Sequence, residues 1–224
     1  MSDCKPGANP LQAASALDQA REQGLAGGRL RLLCLCAAPL HAERLKADLE
    51  VKQIDGRLLY SEHRSRWELV PEWAVTLEDL SKVLLRYQPA VIHFTGHGTP
   101  EGKLVFLDGQ GCARPAPRSA LSALFSLFRN RGLRCVVLSA CYAEEQARAI
   151  AEHIEFVVGI SGAIHDNSAR SFAAGFYSGL AAGMTVAESF DLGRIQIALL
   201  GQADADTLRL ISRGGADPTK TRLC

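Results

Sequence analysis

The sequence predicts an α/β domain with a mainly parallel sheet of about six strands and helices on both faces. Short apolar runs of strand length alternate along the chain with segments of helical spacing, which is the pattern of βαβ units. The 224 residues are 47% hydrophobic and 22% charged, which is ordinary for one globular domain with a small extension. A formal net charge of +1 gives no sign of a strongly basic nucleic-acid surface.

Residues 1–28 are predicted to be an N-terminal extension, either a short helix or a flexible segment, and residues 29–224 the domain. Pro6 and Pro10 interrupt the extension, and Gly27 and Gly28 end it. The start of the chain has no secretory pattern, and no stretch approaches the roughly 18 apolar residues of a membrane span. We therefore expect a cytoplasmic protein without direct membrane contact. Its seven cysteines are expected to be free thiols.

The first half of the domain begins with a compact apolar run at 30–36, which predicts a buried strand. Helical spacing follows at 41–59, then a strand at 67–75 with a bend at Pro71. Thr76 is predicted to cap a helix that Pro89 ends. An apolar run at 90–95 predicts another buried strand. Residues 104–107 predict a strand entering a hairpin, with Asp108-Gly109 supplying the positive φ of the turn.

The second half continues the alternation. A helix is predicted at 119–131, a buried strand at 133–138, a helix at 143–153 and a strand at 156–160. Two helices follow, at 167–181 and 186–200, before a last edge strand at 208–211. In sheets of this kind, functional residues gather beyond the carboxyl ends of the strands.

Two strand ends carry residue types that can take part in catalysis. The strand at 90–95 runs into Gly96-His97-Gly98, and histidine suits general-base work because it exchanges protons near neutral pH. The strand at 133–138 runs into Ser139-Ala140-Cys141, followed by a helical stretch from Tyr142. The partial positive charge at a helix N-terminus favours a nucleophilic thiolate. The two strands are predicted to be neighbours, so His97 and Cys141 form a candidate base and nucleophile.

These motifs, in this order, resemble the CHAT domain, a group of caspase-like cysteine peptidases related to gingipains and separases. The resemblance covers roughly residues 29–218. Its further parts are the hairpin at 108–109, the segments 158–160 and 163–166, the dipeptides Phe172-Ala173 and Phe176-Tyr177, and the stretch 187–193. It implies a caspase-like three-layer sandwich. It also implies a cysteine endopeptidase that cleaves a partner protein, under the control of a protein activator, in a bacterial defence or cell-death pathway.

The resemblance assigns His97 as the base and Cys141 as the nucleophile, without a metal or cofactor. It assigns the backbone N–H groups of Gly98 and Cys141 to an oxyanion hole, where fixed donors stabilise the developing negative charge. The loop before Asp166 lines the substrate pocket in such folds, so Asp166 is a tentative pocket residue that would favour Arg or Lys. From the residues alone, Asp166 is more simply an N-cap of the following helix.

Other sites and functions remain open at this stage. Cys34, Cys36, His93 and Cys135 lie on predicted strands and raise the alternative of a zinc site, although core packing explains them better. Asp108, Glu144 and Glu145 are expected to be solvated acids. The glycines around His97 lack the Lys-Ser/Thr of a phosphate loop. The alternatives to a peptidase are a catalytically silent binding or scaffold module and a hydrolase or transferase acting on a small molecule.

Overall fold

The structure is a computed structural model that describes residues 28–37 and 44–224. The predicted helix or flexible segment at 1–27 lies outside the described residues, as do the first residues of the helix predicted from 41. Within the described ranges, no helix has both the length and the apolar character needed to cross a membrane.

In the part of the chain that the structure describes, eight strands form the sheet: β1 Leu30–Ala37, β2 Trp67–Trp73, β3 Val91–Gly98, β4 Leu104–Leu107, β5 Ala113–Pro115, β6 Cys135–Ser139, β7 Phe156–Ile160 and β8 Leu208–Ser212. Six of them run side by side in the order β2-β1-β3-β6-β7-β8, and the hairpin of β4 and β5 branches from β3. All neighbours along the six-stranded path are parallel except β8, which pairs antiparallel with β7. The predicted mainly parallel sheet is therefore confirmed.

Between residues 44 and 224, six α-helices connect the strands: α1 Arg44–Leu59, α2 Leu80–Tyr87, α3 Arg118–Arg129, α4 Glu144–Ala151, α5 Asp166–Ala181 and α6 Val186–Leu199. Two separate apolar clusters hold them to the sheet. One joins the sheet to α1, α5 and α6, and we call this side the α5 face. The other joins it to α2, α3 and α4, and we call this side the α3 face. The three-layer sandwich is confirmed.

The two faces follow from the alternation of side chains along each strand. In β1, Cys34 and Cys36 pack on the α5 face, whereas Leu33 and Leu35 pack on the α3 face. All four side chains are buried. A strand buried on both sides must be apolar at nearly every position, which is why the sequence of β1 shows a continuous run rather than an alternating pattern.

Three local predictions need correction. The strand at 67–75 ends at Trp73, because Ala74 takes a left-handed φ of 54°, and its pairing with β1 runs unbroken through Pro71. An edge strand tolerates proline because one side of it needs no N–H donor. The helix predicted from Thr76 begins at Leu80, and the Thr76 hydroxyl accepts instead from the backbone N–H of Asp79 in the preceding turn, at 3.1 Å.

The third correction concerns the β4–β5 hairpin. The positive φ lies at Gly111 (78°) and not at the predicted Asp108-Gly109. The Asp108 carboxylate shapes the turn by accepting from the backbone N–H groups of Gln110 and Cys112, at 2.9 and 2.8 Å. These bonds hold the pKa of Asp108 below its ordinary value. Asp108 is thus a turn residue that stabilises its own hairpin, and it does not line the candidate site.

Candidate active site

The two motif-bearing strands are neighbours, as predicted. Strands β3 and β6 pair in parallel from Val91–Cys135 to Thr95–Ser139. His97 lies two residues beyond the last pair on β3, and Cys141 lies two residues beyond it on β6. The parallel register therefore brings both motifs to the same edge of the sheet.

A cavity of about 100 Å³ opens at this edge. His97, Cys141 and Asp166 all line it, together with Glu50 and Arg170. The structure thus brings three of the residues singled out in the sequence to one small site, and adds two charged residues that sequence reasoning did not select.

His97 belongs to a longer strand than expected. Strand β3 continues to Gly98, and its last two residues leave β6 and pair antiparallel with β4, His97 opposite Val105 and Gly98 opposite Leu104. The histidine is exposed at its position, but its backbone is held in the ladder. His97 therefore lies at the end of a strand and not in a flexible glycine loop.

Gly98 lies directly against the main chain of Cys141. A Cβ atom at Gly98 would lie 1.9 Å from the Cys141 carbonyl oxygen, which is far inside van der Waals contact. Position 98 therefore requires glycine so that the strand carrying His97 can approach the turn carrying Cys141. The predicted use of the Gly98 and Cys141 N–H groups as an oxyanion hole is a separate matter and stays a prediction.

Cys141 is half-buried in a turn between β6 and α4. Its thiol points to the carbonyl oxygen of Ile164, with 3.9 Å between sulfur and oxygen. The helical stretch predicted from Tyr142 begins only at Glu144, because Tyr142 takes a left-handed φ of 56°. A tyrosine in this conformation is strained, and such strain is common beside functional groups.

The loop at 161–165 supports the Cys141 turn. The backbone N–H of Tyr142 donates to the carbonyl oxygen of Gly162 at 2.9 Å. The loop is in turn anchored to the 3-10 helix Asp204–Thr207: Ser161 N–H donates to the Thr207 carbonyl at 2.8 Å, and His165 Nδ1 lies 2.9 Å from the Asp204 carboxylate. A bond from Ser168, ahead of those from His165, lowers the pKa of Asp204.

The N-cap role predicted for Asp166 is wrong. Helix α5 begins at Asp166, so the cap position is His165, which makes no side-chain cap bond. Asp166 stands instead in the first turn and lines the cavity one helical turn before Arg170. A carboxylate in the first turn still interacts favourably with the helix dipole. Its role as a substrate-pocket residue remains open.

The four residues weighed as a zinc site are core residues. Cys34, Cys36 and Cys135 are buried free thiols, and burial raises the pKa of Cys36 and Cys135 to about 12 and that of Cys34 well above its ordinary value. The three thiols pack as small apolar side chains in the core. In residues 28–37 and 44–224, no group of three or more His, Cys, Asp or Glu side chains has the arrangement of a metal site.

Glu50 and Arg170 are the charged cavity residues that the sequence analysis missed. Glu50 is only 4% exposed, although it lies on α1 among the buried residues Ala47, Val51 and Ile54. An acid on the apolar stripe of a helix is a signal that sequence reasoning can use, because a buried charge requires partners. Arg170 gives no such signal, since it follows Asp166 on a helix surface where charged residues are common.

Comparison with known proteins supports the family suggested by the motifs. No protein-family model matches the chain. A protein of Gillisia limnaea described as a "Probable protease" is 25% identical over 150 residues, which are 66% of this chain and 26% of that protein. A "Roc-COR-CHAT protease" from an unknown prokaryotic organism is 25% identical over 153 residues, which are 66% of this chain and 14% of that protein.

A solved structure agrees with the fold. A secreted cysteine protease from Bacteroides thetaiotaomicron, in complex with an irreversible peptide inhibitor, superposes with a TM-score of 0.60 at 10% identity, covering 83% of this chain and 66% of that one. The chain has a caspase-like fold and resembles the CHAT proteases. The predicted resemblance and fold class are thus confirmed. This caspase-like domain spans only about a quarter and a seventh of the lengths of the two sequence relatives.

Proposed function

We propose that this caspase-like domain is a cysteine endopeptidase in which His97 and Cys141 act as a dyad. The observation that carries the proposal is their common position: both lie two residues beyond the last pair of two adjacent parallel strands, and both line one cavity. The relatives named as proteases and the fold of a cysteine protease support the same reaction class.

The reaction follows from the chemistry of the two groups. His97 takes the thiol proton, and the Cys141 sulfur attacks the carbonyl carbon of a peptide bond. The N–H groups of Gly98 and Cys141 would hold the oxyanion of the tetrahedral intermediate. The C–N bond then breaks, and the imidazolium returns its proton to the leaving amine. Water, deprotonated by His97, hydrolyses the thioester, which releases the acid and regenerates the thiol.

A peptide-ketone probe tests this proposal. The probe is a peptide chloromethyl ketone, and the Cys141 thiolate of the wild type is expected to displace its chloride and form a covalent thioether, located by peptide mass spectrometry. Cys141→Ala is expected to abolish labelling, and His97→Ala to slow it by about 10²-fold or more, the usual contribution of a general base. Absence of labelling in the wild type would favour the binding-module alternative. Labelling that persists in Cys141→Ala would refute the assigned nucleophile.

The proposal extends to the substrate pocket. Asp166 lines the cavity next to Cys141, and a carboxylate there would attract the cationic side chain of Arg or Lys before the scissile bond. We expect an arginine probe to label faster than an aspartate probe, and Asp166→Asn to reduce that preference. The exposed Asp191 on α6 provides the matched control, Asp191→Asn. Equal labelling by both probes in the wild type would contradict this assignment.

Cleavage of a partner protein, a protein activator, a bacterial defence or cell-death role and a cytoplasmic location remain predictions. The sequence relatives are several times longer than the matched region, which is compatible with control of the domain by other parts of an assembly. Incubation of the purified protein with the products of neighbouring genes, followed by mass spectrometry of any cut ends, is the direct test of a protein substrate and activator.

A further inference from the structure

A buried carboxylate lies beneath the cavity and joins the two strands that carry the dyad. Glu50 Oε2 accepts a hydrogen bond from the Thr95 hydroxyl of β3 at 2.6 Å. Glu50 Oε1 accepts one from the Ser139 hydroxyl of β6 at 2.9 Å. Thr95 and Ser139 are themselves register partners. One carboxylate on α1 therefore bridges two strands from the α5 face.

The bridge lies where the backbone ladder between the two strands stops. Thr95–Ser139 is the last register pair of β3 and β6, and beyond it β3 turns to pair with β4. His97 and Cys141 follow on the diverging strand ends. Past the fork, main-chain hydrogen bonds between β3 and β6 no longer fix the separation of these two residues. The Glu50 bridge therefore lies at the last register pair before the two strand ends diverge.

A second layer of buried polar groups lies beside Glu50. His93 Nε2 lies 3.2 Å from Glu50 Oε1, and His93 Nδ1 lies 3.1 Å from the Tyr177 hydroxyl. Burial raises the pKa of Glu50, but the adjacent His93 imidazole and the bonds from the Thr95 and Ser139 hydroxyls outweigh it, so the pKa of Glu50 is lowered. The group is thus an ionised acceptor for both hydroxyls at neutral pH, and such charge-assisted bonds are stronger than neutral ones.

We propose that Glu50 is a positioning residue that sets the separation of His97 and Cys141 by clamping Thr95 to Ser139. The inference rests on the proposed function only in taking these two residues as the dyad. Loss of the clamp is expected to slow the reaction of the Cys141 thiol, because activation of a thiol by histidine needs hydrogen-bond distance. A displacement of about 1 Å can cost on the order of 10²-fold in rate.

The experiment measures alkylation of Cys141 by iodoacetamide at several pH values, with mass spectrometry at each cysteine. Cys112 is exposed at the hairpin end and serves as an internal reference in the same molecule. The variants are Glu50→Gln, Thr95→Val and Ser139→Ala. The first removes the carboxylate charge, and each of the other two removes one of the hydroxyl groups that donate to it. The control is Ser122→Ala, which removes a buried hydroxyl bond to the Ala149 carbonyl on the α3 face.

We expect the Cys141-to-Cys112 rate ratio at neutral pH to fall by about tenfold or more in the clamp variants that fold, with the rise in Cys141 rate moved to higher pH. Ser122→Ala is expected to leave the ratio unchanged. An unchanged ratio and pH profile in Thr95→Val and Ser139→Ala would overturn the proposal, whatever the change in melting temperature. Peptide-ketone labelling of the wild type reports on the peptidase proposal separately, because iodoacetamide needs no peptide site.

Discussion

The two faces of the sheet use the same strands but different chemistry. On the α3 face the buried side chains of β3 and β6 are Ile92, Phe94, Val136 and Leu138. On the α5 face the same strands bury His93 and Thr95, and Glu50 of α1 meets them there. The side chains of β3 and β6 on the α3 face are thus apolar, whereas on the α5 face they include a polar network under the candidate site.

This difference predicts that substitutions on the two faces have different consequences. An apolar face is stabilised by burial of area and tolerates changes that keep volume. A buried polar network costs desolvation unless every group is paired, and it responds to the loss of a single partner. We therefore expect substitutions on the α3 face to change stability and those on the α5 edge to change reactivity.

The largest expected effect is on the α3 face. Phe125→Ala removes a buried ring of α3 and is expected to lower the free energy of unfolding by about 3–5 kcal/mol. The protein that remains folded is expected to keep its peptide-ketone labelling rate, since Phe125 does not line the cavity. Urea titration and labelling below the melting temperature measure the two quantities. A large fall in labelling rate of the folded fraction would break the division between the faces.

The next effect is at the contact between the two strand ends. Gly98→Ala adds a Cβ that would lie 1.9 Å from the Cys141 carbonyl oxygen. The strand end that carries His97 and the turn that carries Cys141 must therefore move apart. We expect a fall in labelling rate on the order of 10²-fold. Gly109→Ala is the matched control, because a Cβ at Gly109 meets no atom within 4 Å. Equal labelling by both variants would refute the importance of the close contact.

A smaller effect is expected at Tyr142. Its left-handed φ of 56° costs a non-glycine residue about 1–2 kcal/mol. Tyr142→Gly relieves this cost, but glycine raises the conformational entropy of the unfolded chain, which costs roughly 0.5–1 kcal/mol on folding. The net expectation is a gain of stability below about 1 kcal/mol, measured by thermal unfolding. A clear loss of stability would mean that the tyrosine side chain, which is 39% exposed, makes a contact that outweighs the strain.

The smallest expected effect is the pH dependence of the Glu50 network. Because the pKa of Glu50 is lowered in the folded protein, its stabilising contribution is present above its ordinary value of 4.5 and is lost as pH falls through the lower folded value. The difference in melting temperature between the wild type and Glu50→Gln is therefore expected to be largest near neutral pH and to shrink on acidification. A difference that grows toward acid would contradict the ionised state of Glu50.

Much of this molecule is visible in the sequence because it is local. The apolar run of β7 gives its bounds correctly, and the order of strands and helices gives the layered parallel sheet. Errors appear where backbone conformation decides: the helix after Cys141 starts late because Tyr142 is left-handed, and the hairpin turns at Gly111. A sequence pattern does not specify these φ angles when the residues are not the usual ones.

The candidate site divides in the same way. The sequence by itself determined that His97 and Cys141 would lie close together. Each follows a buried strand in a motif of small residues, and parallel strands bring their carboxyl ends together. Only the tertiary structure brought Glu50 to Thr95 and Ser139, since these residues come from three separate elements. The physical reason is that local periodicity encodes the succession of strands and helices, whereas the pairing of a buried charge depends on how a helix docks against the sheet.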